Sequence, residues 1–239
     1  MGNVVVGIHQ PNFMPWLGYF YKMFKSDIFI FLDDVQMQKT GASYTNRVSI
    51  NANGKAQFLT IPIKRESGTV NINETKFVDN RWKKKVIGSL QNNYAKAKYF
   101  KENRDFIFDL INFEADNLAD YNINFITNIA KKLNIDTKLV KSSNYNIKTN
   151  STQRLIDLIK AVDGNVYLSG GGGDKYQDQQ MYEDSEIELR YNNFKPFAYE
   201  QFRSTEFVAG LSIMDAVFNI GFDGIKGEFD NEKKDDMDN

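Results

Sequence analysis

Residues 4–20 read VVVGIHQPNFMPWLGYF. Val4-Val5-Val6-Gly7-Ile8 is a compact, β-branched apolar run, the pattern of a buried, central, parallel strand. Pro11 and Pro15 deny residues 9–15 the regularity of a ladder or a helix and make them a stiffened loop. From Trp16 to Lys25, apolar residues fall at 16, 17, 19, 20, 23 and 24, which predicts a helix docked on a sheet. Ser26-Asp27 ends it. Ile28-Phe29-Ile30-Phe31-Leu32 is a second buried run, stopped by Asp33-Asp34. Strand, loop, helix and strand within about 30 residues form a βαβ unit with a right-handed crossover. The 9–15 loop and Asp33-Asp34 then stand at the carboxyl ends of their strands, where open α/β sheets bind ligands. This stretch also carries the only histidine of the chain, His9, and two of its four prolines.

Downstream the texture changes. Val48-Ser49-Ile50 and Phe58-Leu59-Thr60-Ile61 flank Asn53-Gly54, a strong hairpin-turn signal. A further strand is expected around Val70 to Phe77, then helices at about 80–95, 99–113 and 115–133. Asp136 to Val140 reads as a short strand. Asn150 or Ser151 caps a helix through about Val162. Asn165 to Ser169 is a strand that runs into Gly170-Gly171-Gly172-Gly173. Ile187 to Tyr191 is a late strand, and Leu211 to Ile220 a short apolar helix. The fold class is therefore α/β, a Rossmann-like, mostly parallel sheet flanked by helices. A single domain is expected over residues 1–227, with a β-hairpin and helical insertion at about 45–135. Residues 228–239, EFDNEKKDDMDN, show no apolar period and are expected to be a disordered charged tail.

A chain of 239 residues with 41% hydrophobic content has ample material for a core. Its 30 basic and 31 acidic residues nearly cancel, and no basic stripe interleaves with aromatics. Nucleic acid is therefore not an expected partner. The absence of cysteine excludes disulfides, a thiol nucleophile and zinc-thiolate sites, and fits a reducing cytoplasm. One histidine excludes a multi-histidine metal centre, and no metal-ligand set is assigned. No apolar run reaches the roughly 18 residues of a membrane span and no signal peptide is visible, so a cytoplasmic protein is expected.

Three places concentrate chemistry. His9 titrates near neutrality and is the candidate catalytic acid/base or phosphate ligand; the competing reading is a buried imidazole that pins the turn. Gln10 and Asn12 beside it offer amide donors and acceptors for a substrate. Asp33 is a candidate ligand for a substrate hydroxyl or a cation, against an ordinary turn residue. Asn46 and Arg47 are candidates for an anionic group, because a guanidinium forks onto phosphate oxygens. Ser169-Gly170-Gly171-Gly172-Gly173-Asp174-Lys175-Tyr176 is a candidate phosphate loop, since glycines after a strand let backbone amides approach a ligand. It is neither a Walker A loop nor a spaced dinucleotide fingerprint. Arg154 reads as a surface residue.

Ile8 to Phe20, Ser26 to Gln36 with Asn46-Arg47, and Tyr167 to Tyr176 together resemble the WbqC-like family of bacterial proteins, with Leu211 to Asp215 and Phe218 to Gly221 as a fourth match. The glycine-rich segment departs from the family's usual form, which has a proline near Gly171 and Lys before Asp at 174–175. The resemblance implies a role in surface-polysaccharide biosynthesis, O-antigen or capsule, by acylation or aminoacylation of a nucleotide-linked amino sugar. A nucleotide sugar would then be the small-molecule partner. The cofactor and the oligomeric state stay open, with ATP and Mg2+ the candidate cofactors. At the level of fold, the opening also looks like adenylyl-transferring α/β enzymes, which implies an ATP-dependent ligase or nucleotidyltransferase as the alternative. Matching Pro11 to the proline of their motif puts Phe13 and Trp16 where those enzymes carry a histidine pair. A non-catalytic ligand-binding protein is the third reading.

Overall fold

The computed structural model describes residues 2–37, 43–64, 70–171 and 178–238, with side chains through Glu232 in the last stretch. Five strands form one sheet: β1 (Val5–His9), β2 (Ile28–Phe31), β5 (Lys138–Lys141), β6 (Val166–Gly170) and β7 (Glu188–Asn192). Their spatial order is β5-β2-β1-β6-β7, and every neighbouring pair is parallel. A second sheet is the antiparallel hairpin of β3 (Arg47–Ala52) and β4 (Lys55–Thr60). The α/β class with a separate hairpin is as the sequence predicts.

The opening run becomes the central strand because it can be buried on both faces. The side-chain period of two sorts the faces. Val6, Ile8, Ile28 and Ile30 share a core with Ile156 and Ile159 of α5 (Ser151–Ala161). Phe29 and Phe31 point the other way, into a larger core with Tyr19 and Phe20 of α1 (Leu17–Phe24). Gly7 faces that second side. A Cβ there would stand 2.5 Å from Ser26 Oγ and 2.9 Å from the Phe29 ring, so the missing side chain is what lets the neighbouring groups close over the strand.

Between β2 and β5 the chain forms the hairpin and three helices, α2 (Arg81–Tyr94), α3 (Phe100–Asn112) and α4 (Leu118–Lys132). Asn53 and Gly54 both have positive φ, 52° and 78°, the signature of a type I′ turn. The strand expected around Val70 to Phe77 is not formed. Ile72–Glu74 is a 3₁₀ turn, closed by a capping box between Asn71 and Glu74, and only the isolated bridges of Asn71 with Gln36 and of Phe77 with Ile63 remain. The local cap competes with the ladder and wins.

Two further helices depart from the sequence reading. α6 (Gln179–Asp184), capped by Asp178, follows the glycine-rich segment where no helix was anticipated. After α7 (Ile213–Asn219), α8 runs from Gly221 to Asp238, through the region where composition predicts disorder. Ile225 and Phe229 are the reason. They lie one turn apart, both buried, with the Phe229 ring 5.4 Å from Tyr21 and 5.8 Å from Phe24. Packing nucleates the helix, and propagation from a nucleus is easy.

Candidate functional site

The chain passes from β1 to β2 on one side and to β6 on the other, so the strand order reverses between β1 and β6. That switch point opens a crevice at the carboxyl ends of the two strands. His9 ends one strand and Gly170 the other.

The loop after β1 is gripped from three sides. Asn122 of α4, fully buried, donates to the carbonyls of Pro11 at 2.8 Å and Thr45 at 2.7 Å. Ser212, the cap of α7, donates its hydroxyl to Met14 at 2.8 Å, and the Ile213 amide donates to Pro15. The Phe13 amide donates to Tyr44 at 2.9 Å. These contacts hold Met14 in the left-handed region at φ 43°, a conformation that a non-glycine residue keeps only under such constraint.

His9 Nδ1 lies 3.0 Å from the Gln10 carbonyl oxygen. A carbonyl only accepts, so Nδ1 carries the proton and Nε2 keeps its lone pair. Tyr19, whose hydroxyl donates to the same carbonyl, sets its ring edge-on to the imidazole at 4.8 Å. Burial, then the charge of Lys22, bring the His9 pKa down from 6.5 to about 4, against the bond to Gln10. The imidazole is neutral at physiological pH.

Lys22 is the residue that the sequence reading missed. It falls off the apolar stripe of α1, yet it is 3% exposed. Its Nζ donates to the Ile8 carbonyl at 2.7 Å and stands 5.7 Å from the Tyr167 ring. Burial brings its pKa from 10.5 down to about 7, and among the described residues no carboxylate offsets that. The available signal was the composition of α1, which buries almost its whole circumference: a helix apolar nearly all round is covered on both sides, and a lysine in it is covered too.

Two cavities meet at His9 with Trp16 between them. One, of about 310 Å3, is bounded by His9, Lys22, Gly170, Gly171 and Asn192. The other, of about 370 Å3, is bounded by His9, Asn12, Phe13, Pro15, Tyr44 and Val48. Trp16 lines both and leans edge-on against Phe194 at 5.7 Å. Gly18 lies directly under the indole, where a Cβ would come within 2.4 Å of the ring.

The other expected site residues take varied places. Gln10 faces inward, its amide donating to Gln36 and accepting from the Thr45 hydroxyl. Asp33 is 2% exposed, and both its oxygens are occupied: Oδ1 by the Ser142 hydroxyl and the Ser143 amide, Oδ2 by the Ser143 hydroxyl. Asn46 donates to the Ile61 carbonyl. The Arg47 guanidinium stacks on Phe58 at 3.6 Å, with its Nε buried and unpaired. None of these three lines the two cavities. Ser169 is buried in β6, its hydroxyl 3.3 Å from the Gly170 carbonyl. Gly172, Gly173, Asp174, Lys175 and Tyr176 lie outside the described residues. Arg154 is not a surface residue: Nη2 pairs with Asp34 at 2.7 Å and Nη1 donates to Ile147 at 2.6 Å. Burial raises the Asp34 pKa, but bonds from Ser142 and Arg154 outweigh it and the net shift is downward. Phe13 packs on Trp82 in the core, and Trp16 walls the cavities, so neither position offers the phosphate donor that a histidine pair would. Among the described residues no three His, Asp or Glu side chains are grouped as a metal site requires.

Residues 10–227 match the WbqC-like protein family. The chain belongs to that family. It is also 29% identical over 223 residues to the uncharacterized protein Rv1507c of Mycobacterium tuberculosis, covering 90% of this chain and 94% of that protein. No solved structure matches. The family match begins at Gln10, immediately after His9, and runs through the loop after β1, the hairpin and the strand end at Gly170. No helix among the described residues is long and apolar enough to cross a membrane.

Proposed function

We propose that this WbqC-like protein is a cytoplasmic transferase of surface-polysaccharide biosynthesis that acylates or aminoacylates a nucleotide-linked amino sugar. One observation carries the reading. His9 and Lys22 stand at the carboxyl ends of the central strands, desolvated, with no described carboxylate to balance the lysine. An anionic ligand is the complement of such a pair, and a diphosphate beside strand-end glycines is the anion that α/β crevices bind most readily. The resemblance to proteins of surface-polysaccharide gene clusters supplies the sugar half of the reading.

In this assignment Lys22 and the backbone at Gly170 and Gly171 face the phosphates. Bound negative charge raises the pKa of both Lys22 and His9. His9 Nε2 then becomes a competent base. It takes the proton from the acceptor amine as nitrogen bonds to the acyl carbon, and delivers it to the carrier as the acyl–carrier bond breaks. Gln10 orients the loop through Gln36 and Thr45.

Calorimetry and thermal unfolding with pyrophosphate and nucleotide sugars test the binding half. Ligand at 100 times its Kd raises stability by about 2.7 kcal/mol. Lys22→Met is expected to remove the response. Mass spectrometry of reactions with amino-sugar nucleotides and activated acyl donors tests the chemistry. Binding without product would favour a non-catalytic protein, ATP consumption with pyrophosphate release would favour a ligase, and full turnover by His9→Ala would overturn the assignment of the base.

A further inference from the structure

The two cavities differ in chemistry. The first has Lys22 in its wall; the second has no charged side chain among its described lining, because His9 is neutral there. Phe13, Pro15, Trp16, Tyr44 and Val48 give it apolar walls. Its polar feature beside His9 is Asn12, which is 8% exposed, and no described group hydrogen-bonds the Asn12 side-chain amide. The amide is not one of the fully buried polar groups left unpaired, so it meets solvent through the cavity. It borders a space of about 370 Å3, large enough for on the order of ten ligand atoms at about 30 Å3 each. A ligand entering that space displaces water from the amide and takes over its hydrogen bond.

We propose that this compartment binds the transferred group, that the group is an uncharged acyl chain, and that Asn12 Nδ2 donates to its carbonyl oxygen. The inference rests on the transfer reading above and names its acyl side. The placement is consistent with the reaction. Asn12 and His9 line the same cavity, so a carbonyl carbon held between them presents its oxygen to a donor and its face to an amine whose proton His9 can take. As the amine adds, negative charge develops on that oxygen and the bond from Asn12 strengthens. As the carrier leaves, the carbonyl re-forms and the charge is gone. An uncharged chain suits these walls better than a carboxylate, because no lysine or arginine is among the described lining residues.

Saturation-transfer NMR on the wild-type protein with N-acetylglucosamine, glucosamine and N-succinylglucosamine reads the compartment directly. Expected is strong transfer to the acetyl methyl protons, weaker transfer to the sugar ring, and none to the other two compounds. Asn12→Ala and Asn12→Asp, which both lack the donor, are expected to weaken N-acetylglucosamine about tenfold, the loss of one good hydrogen bond. Neither variant should change the affinity for pyrophosphate, which belongs to the Lys22 side. N-succinylglucosamine binding as well as N-acetylglucosamine, or unchanged binding by both Asn12 variants, overturns the proposal, as does absence of N-acetylglucosamine binding to a protein that still binds pyrophosphate. N-acetylglucosamine binding that depends on Asn12, in a protein that ignores pyrophosphate, would sustain this compartment and remove the phosphate half of the functional reading.

Discussion

The Lys22 ammonium nitrogen lies 2.7 Å from the carbonyl oxygen of Ile8, the residue immediately before the catalytic candidate His9. A helix and the end of the strand it follows are thus tied by a titratable group. Between pH 7 and 10.5 the unfolded chain holds a proton on Lys22 that the folded chain gives up, so stability rises with pH across that window. His9 acts with the same sign between pH 4 and 6.5, where the folded chain again holds fewer protons. Stability is therefore lost as acid is added through that lower range. Urea unfolding at several pH values from 7 to 9.5 checks the upper window. The wild type is expected to gain stability relative to Lys22→Met as pH rises from 7 towards 9.5, and parallel curves for the two proteins would count against the burial of this lysine.

Proton uptake follows from the same pair. An anion bound beside Lys22 and His9 raises both pKa values, so binding near pH 7.5 draws protons from the buffer. Calorimetric titration of pyrophosphate in two buffers of different ionisation enthalpy should give different apparent enthalpies. Equal enthalpies would mean that the anion does not meet the two bases.

Gly18 is expected to tolerate no side chain. In Gly18→Ala the new methyl meets the Trp16 indole at 2.4 Å, so the ring must leave its place between the cavities. The strain costs about 1–3 kcal/mol in unfolding experiments. Near-ultraviolet circular dichroism should report the displaced tryptophan, and ligands on either side of it should bind more weakly.

Asn122→Ala removes the donor shared by Pro11 and Thr45 and leaves two buried carbonyls without it. A destabilisation of about 2–6 kcal/mol is expected, from a penalty of about 1–3 kcal/mol for each orphaned group. The loop after β1 should exchange its amide hydrogens faster than the strands do, which hydrogen-exchange mass spectrometry resolves.

Phe229→Ala tests the terminal helix. The ring packs on Tyr21 and Phe24 of α1, and truncating a buried phenylalanine costs about 3–5 kcal/mol. A loss under about 1 kcal/mol would show that α8 contributes little to the core.

The βαβ opening was legible because two dense apolar runs flank a proline-stiffened loop and a short apolar helix. Asn53-Gly54 announced the hairpin by the positive φ its turn demands. What escaped was set by partners far along the chain. Asp33 and Asp34 looked like ligands at a strand end, but Ser142, Ser143 and Arg154 occupy them, more than a hundred residues away. Lys22 falls off the apolar stripe of α1, and only the near-continuous apolar composition of that helix hinted that it would be covered. Phe229 stood alone in a charged segment, and only Tyr21, Phe24 and Phe194 give it a core to enter.

The strand order carries a consequence for synthesis on the ribosome. β1 can pair with β2 as soon as Phe31 has emerged, and β5 can join them after Lys141. Its other edge waits for β6, whose Val166 pairs with Val5. Until then a flat, β-branched strand presents unpaired amides and carbonyls to any neighbour, the situation that invites edge-to-edge association. The nascent chain thus carries its histidine long before it makes β6, and cannot own a ligand crevice until Gly170 has emerged. Conditions that slow elongation between Lys141 and Gly170 should favour aggregates over active protein.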